Sequence, residues 1–363
     1  MNTIGTHFRL TTFGESHGAA IGGVIDGCPA GVALRLDEVQ EALDRRRPGG
    51  SDLTTPRKEE DRIEFLSGLM DGITTGAPIA FLIRNSDQRS GDYSSLEQVY
   101  RPSHADYTYT AKYGVRDHRG GGRSSARETA VRVAAGAIAM QILNDMGIEI
   151  VAYTASVGKV SMPQIYLDFV MKEEVEAHAV RTPLSQIARE MEEEIKAARE
   201  EGDSVGGTIA CIIRGVPPGW GAPLYDKLSA KLSSAMLSIN ACKAFELGDG
   251  FAGCHARGSE QNDSFVPCPH SPRGIATLSN HSGGIQGGIS NGEVIRFRVG
   301  FKPVSSISKK QQSVNKAGEQ VEIEIAGRHD PCVLPRAVPI VEAMAALVLA
   351  DSYLASLGDR REG

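Results

Sequence analysis

The chain has 363 residues, 41% hydrophobic and 23% charged, the make-up of a globular protein with one large or two ordinary domains. Its net charge of -6 excludes a surface that is basic overall, so no nucleic-acid partner is expected. The start MNTIGTHFRLTTF has no cationic region leading into an apolar core, and residues 337–350 carry Pro339 and Glu342 and are too short to cross a bilayer, so neither a secretory signal nor a membrane partner is expected.

In chain order, GESHG at 14–18 sets His17 in a glycine-flanked loop, and AAIGGVIDG after it reads as a strand. Ser16 falls in the G-x-S-x-G pattern, but a hydrolase elbow needs an apolar helix next, which is missing here. A helix is predicted from near Asp37 to Arg45, Arg46 and Arg47, with the cations at its favourable C-terminal end. Residues 79–84 read as extended. RPSHADYTY at 101–109 is a loop with His104 two positions before Asp106. A helix is predicted over 125–144, with Ser125 and Glu128 as a capping box. Thr182-Pro183 opens a further helix with Leu184, Ile187, Met191, Ile195 and Ala198 on one face; Glu192 and Lys196 pair on its outer side, and Gly202 ends it. Residues 207–213 read as extended, and Leu228, Leu232, Met236 and Ile239 mark another helix. Alternation at Ile295, Phe297, Val299 and Phe301, and again at Val321, Ile323 and Ile325, gives two strands. A last helix is predicted over 339–356; like 125–144 it is rich in small apolar residues and expected to be buried. No linker or repeat divides the chain, so residues 1–363 are expected to form a single α/β or α+β domain with long Gly-rich loops.

The segment RGGGRSSARET at 119–129 is the strongest chemical signal. Three glycines permit close backbone approach, a helix start supplies free N–H groups, and Arg123 and Arg127 offer forked donors, together an anion site suited to phosphate. Arginines gather near 45–47, 116–132 and 296–298, and local cations on an acidic chain fit a small, highly anionic ligand. GRHDP at 327–331 adds Arg328, His329 and Asp330, and FKPVSSI at 301–307 adds Lys302, Ser305 and Ser306 as donors for a phosphate or a flavin edge. Gly248, Gly250 and Gly253 match G-x-G-x-x-G, but no apolar helix or later acidic residue completes a dinucleotide fingerprint. Cys254, His255, Cys268 and His270 match no common zinc spacing, so no metal is expected. Six cysteines without close pairing point to reduced thiols and a cytoplasmic location.

GESHG, RPSHADYTY, RGGGRSSARET, SINACK, SNHSGGIQGGISNG, FKPVSSI and GRHDPCVLPRAVPIVEAM together resemble the chorismate synthase family, in the same order from residue 14 to about 345. The resemblance implies an α+β fold, a sandwich of antiparallel sheets around central helices, assembled as a homotetramer. It implies a lyase converting 5-enolpyruvylshikimate 3-phosphate to chorismate by 1,4-anti elimination of phosphate and a C6 hydrogen. Reduced FMN is implied as a cofactor that is not consumed, with NADPH or a separate flavin reductase as the source of reduction. It implies catalytic roles for His17 (protonating the departing phosphate), His104 (keeping the reduced flavin in its required protonation state) and Asp330 (assisting proton removal). It further implies FMN contacts at Arg123, Ser124, Ser125, Asn240, Ala241, Gly287, Lys302, Pro303, Val304, Ser305, Ser306 and Arg328, and substrate or NADP contacts at Arg46 and Arg127. Two departures stand out: Ser103 replaces a Gly the family often has, and Asp52 stands where many relatives carry Arg, with Arg57 or Lys58 nearby to compensate. A phosphoryl-transfer enzyme would need G-x-x-x-x-G-K-[ST] and an acidic metal cluster, and a non-catalytic flavin-binding module would not need two loop histidines and Asp330.

Overall fold

Two five-stranded antiparallel sheets pack around a set of central helices. The computed structural model describes residues 1–49, 53, 60–86, 96–163, 169–269, 274–325 and 330–359. The N-terminal sheet runs, edge to edge, Thr3–Ile4, Arg9–Gly14, Ala20–Asp26, Ile79–Arg84 and Ile63–Phe65. The second sheet runs Cys242–Leu247, Ile295–Phe301, Gly207–Arg214, Glu149–Val157 and Val160–Ser161. Alternation at residues 295–301 does what a period of two predicts: Ile295, Phe297, Val299 and Phe301 are buried and the residues between them are half-buried. The predicted strand at 321–325 forms as Gln320–Ile323, paired with Gln311–Val314 in a separate hairpin.

Helix Thr129–Asn144 packs on the N-terminal sheet and helix Leu334–Ser356 on the second, and the two pack on each other. Their crossing depends on one missing side chain: a Cβ on Gly136 would lie 2.4 Å from Cβ of Ala343. Gly23 does the same on the sheet side, where a Cβ would meet Val131 Cγ1 at 2.7 Å. Helices Leu36–Arg46 and Leu228–Leu237 fill the rest of the middle layers. The result is the α+β sandwich around central helices that the resemblance implied.

Two boundaries differ from expectation. The last helix begins at Leu334, five residues before Pro339. Proline has no N–H for the carbonyl four residues back, which here is Pro335 O. Arg181 Nη1 donates to that oxygen instead, so the helix continues through the proline. At 23 residues it is long and apolar enough to cross a membrane by length and composition, contrary to the shorter stretch expected, but its apolar window is 89% buried between the layers. The capping box is also not formed. Ser125 Oγ accepts from Arg127 N at 3.3 Å and caps a 3-10 turn, Ala126–Glu128, ahead of the α-helix. Glu128 instead accepts from Thr12 Oγ1 and Arg132 Nε, at 3.1 and 2.8 Å.

Candidate active site

Loops at one end of these layers meet in a cavity of about 520 Å³, a size usual for small-molecule sites. Arg46, Arg101, Arg127, Lys243, Lys302 and Arg336 stand on its wall, and Asp330 is the one acidic side chain among the described wall residues. A protein of net charge -6 thus concentrates positive charge here.

His104 is on this wall and is held by Asp106, the first residue of helix Asp106–Tyr113. Asp106 Oδ1 lies 2.9 Å from His104 Nδ1. A carboxylate only accepts, so the neutral ring carries its proton on Nδ1 and leaves Nε2 as the acceptor. Arg101 donates to both oxygens of Asp106 through Nη2 and Nε, each at 2.8 Å, and Arg116 Nη1 stands 3.2 Å away. Burial alone would raise the Asp106 carboxyl; hydrogen bonds from Arg101 and His104 outweigh it and hold it well below the usual carboxylate range. Ser103, just before the histidine, has φ 55°, a left-handed conformation that favours Gly.

The glycine triplet packs against both histidines. Gly120, Gly121 and Gly122 all have positive φ. A Cβ on Gly120 would lie 2.2 Å from His17 Cε1, and one on Gly121 would lie 3.2 Å from His104 Cε1. The turn therefore brings both rings against one short stretch of backbone. His17 itself is 5% exposed, with Nδ1 3.1 Å from Ser16 Oγ, and it lies behind Gly120, which is the residue on the wall.

Arg46 and Arg127 line the cavity and share a partner that the sequence did not signal. Asp61 Oδ2 accepts from Arg46 Nη2 at 2.5 Å, and Asp61 Oδ1 accepts from Arg127 Nη1. Burial, together with Arg336 and Arg127, lowers the Arg46 guanidinium to about 10 against the pull of Asp61. Asp61 is the last residue of the charged run RKEED, and nothing in that run sets it apart from its acidic neighbours. Arg45 goes elsewhere: it pairs with Glu342 at 2.7 Å and with Glu176 at 2.5 Å.

Ser124, Ser125, Asn240, Ala241, Lys302, Val304, Ser305 and Ser306 share the wall. Asn240 Nδ2 donates to Ser124 O at 2.7 Å, and Lys302 N donates to Ala241 O at 3.0 Å, which ties three separate segments together. Pro303 stands between Lys302 and Val304 and is not itself on the wall. Burial and the nearby Lys243 push the Lys302 ammonium down. Asp330 accepts from Arg336 Nη1, and Arg336 Nε donates to Arg46 O at 3.2 Å. Two candidates point away. Arg123 donates to Gly14 O at 3.1 Å and Thr12 Oγ1 at 2.6 Å, against the N-terminal sheet. Gly287 sits in a hairpin, Ile285–Gln286 with Ile289–Ser290, packed on the start of helix Leu228–Leu237. Arg328, Asp52, Arg57 and Lys58 lie outside the described residues. Lys243, Arg101 and Arg336 join the wall without having been expected there, since their roles depend on which loops meet.

A cationic cavity with an oriented histidine, framed by two sheets and paired central helices, defines an enzyme that handles a small polyanion. The chorismate synthase family profile matches residues 8–354. A chorismate synthase of Porphyromonas gingivalis is 59% identical over 360 residues, covering 99% of this chain and 97% of its own. One of Christiangramia forsetii is 58% identical, with 97% of each chain covered. A solved structure titled as the crystal structure of chorismate synthase superposes with a TM-score of 0.78 at 31% identity, covering 98% of this chain and 94% of its own. The chain belongs to the chorismate synthase family, and it is an enzyme of that family, a carbon–oxygen lyase.

Proposed function

We infer that the chain converts 5-enolpyruvylshikimate 3-phosphate to chorismate and phosphate by 1,4-anti elimination, with reduced FMN bound beside the substrate. The observation that carries this reading is the excess of cations on one cavity wall around His104. The substrate brings two carboxylates and a phosphate, and FMN brings another phosphate. Small residues Ser124, Ser125, Ala241 and Val304 on the wall are compatible with a flat ring held by backbone and small side chains. When bound, reduced FMN lends electron density to the substrate as phosphate leaves and recovers it as the C6 hydrogen departs.

The protein's own share is positioning, charge and protons. Arg46, Arg127 and Arg336 stabilise the negative charge that grows on the departing phosphate oxygen. His17, whose ring packs against Gly120, supplies a proton to that phosphate. His104 holds or releases a proton at Nε2, with Asp106 fixing its tautomer. Asp330, paired with Arg336, assists removal of the C6 proton. We assign NADPH or a separate reductase as the source of reduced flavin, a cytoplasmic location, and a homotetramer as the working assembly. The test is anaerobic phosphate release from the substrate with and without chemically reduced FMN. Phosphate and chorismate appearing together, only with reduced FMN, supports the lyase. Flavin binding without phosphate release would leave a binding module instead.

A further inference from the structure

We propose that Asp61 is a positioning residue for anion recognition: it locks Arg46 and Arg127 into one pair of donors on the cavity wall without touching the ligand. The proposal rests on reading that cavity as a site for a phosphate-bearing substrate. The Asp61 side chain is 0% exposed and the Arg46 side chain 2%, so no ligand reaches the carboxylate itself. Each of its oxygens takes one guanidinium, Oδ2 that of Arg46 and Oδ1 that of Arg127.

The other contacts of Arg46 are neutral and long, Thr129 Oγ1 at 3.3 Å and Ala126 O at 3.4 Å. Arg127 is steered by Asn85 Oδ1 at 2.9 Å and Arg84 O at 3.2 Å. Among the described residues, Asp61 is the carboxylate that both arginines share. Without it two like charges would stand together in a dry site, with Arg336 close to Arg46, and repulsion would drive them apart. With it the group keeps a net charge of +1 and a fixed shape, which suits a tetrahedral oxyanion better than two independent cations would. Asp61 is itself anchored. Gln40 Nε2 donates to its carbonyl at 3.3 Å while Gln40 Oε1 accepts from Ile63 N at 3.2 Å. Its φ of 47° lies in the left-handed region, which Asp enters more readily than most residues other than Gly. Helix Leu36–Arg46 thus fixes both the arginine and its counter-ion.

The experiment places Asp61→Asn in three backgrounds: wild type, Arg46→Gln, and Arg46→Gln with Arg127→Gln. Calorimetric titration with inorganic phosphate measures anion affinity, steady-state assays separate KM from kcat, and thermal unfolding monitors the fold. Losing one well-placed charge-assisted hydrogen bond corresponds to roughly tenfold in affinity. Asp61→Asn is expected to weaken phosphate binding by about that factor in wild type and in Arg46→Gln, raising KM more than it lowers kcat. In the double-arginine background nothing remains to be positioned, and no further loss is expected. Equal losses in all three backgrounds, or no loss in the first two, would overturn the proposal. If Asp61→Asn alone does not fold, the comparison within Arg46→Gln decides, because one uncompensated buried charge has been removed there. Wild-type protein that does not bind phosphate also overturns it. Wild-type protein that binds phosphate but does not turn over the enolpyruvyl substrate would sink the lyase reading while the Asp61 test still stands.

Discussion

Two parts of the cavity wall hold their cations in opposite ways. Around Arg46, Arg101 and Arg127, buried carboxylates from Asp61 and Asp106 meet the guanidiniums before any ligand arrives. Around Lys243 and Lys302, no ion pair to a carboxylate forms among the described residues, and burial, with the nearby charge of Lys243, lowers the Lys302 ammonium. The first part is a scaffold whose geometry is set by folding. The second is completed by the negative charge of whatever binds. Pre-paired arginines keep their shape at little cost on binding, whereas loose lysines supply attraction that salt can screen.

The largest expected effect lies on the scaffold side. His104→Ala should lower kcat by about 10²–10⁴, the range for a positioned proton-transfer group, and Asp106→Asn should lower it in the same direction by loosening the ring. Wild-type turnover in both, measured anaerobically with reduced FMN, would remove His104 from the mechanism. Gly120→Ala comes next. Its new methyl would press on the His17 ring and its φ of 74° disfavours any side chain, so a loss of about 1–3 kcal/mol in stability and a fall in kcat are expected. Unchanged unfolding and turnover would show that the turn yields freely.

On the looser side, Lys302→Gln should weaken phosphate binding by about tenfold at low salt and by much less at high salt. Salt-independent loss would mean that the lysine is as built-in as the arginines. The comparison also predicts an acid limit. Asp61 and Asp106 titrate lower in the folded chain than in the unfolded one. Their stabilisation is therefore complete above the unfolded value of about 4 and is lost as pH falls below it toward the folded values. Thermal unfolding from pH 7 to 3 should show the drop, and Asp106→Asn should make it shallower. The smallest effect concerns Ser103→Gly, which relieves a left-handed φ but gives the unfolded chain more freedom. A net gain of about 0–1 kcal/mol is expected, and a loss in urea titration would show that Ser103 makes compensating contacts.

Much of the layout was legible in the residues. The strands at 79–84, 207–213 and 295–301 and the helices at 36–46, 129–144 and 228–237 follow from local periodicity, which burial on one face enforces. His104 with Asp106 was readable as a spacing, and the ordered motifs pointed to the family. Boundaries failed where a tertiary contact replaced a local rule. Pro339 reads as a helix start until Arg181, far away in sequence, takes up the carbonyl it leaves open.

What the amino-acid order determined by itself was the set of segments, the small apolar residues that let two central helices touch, and the supply of loop histidines and arginines. Only the tertiary structure decided how those arginines divide: Arg45 to Glu342 and Glu176, Arg46 to Asp61 and the cavity, Arg123 to the N-terminal sheet. The physical reason is that a buried charge must find a counter-charge, and that partner is chosen by which loops meet in space rather than by sequence neighbours. The glycine triplet shows the same division. Its freedom of φ is local, but its use, bringing His17 and His104 against one turn, exists only once the loops have met.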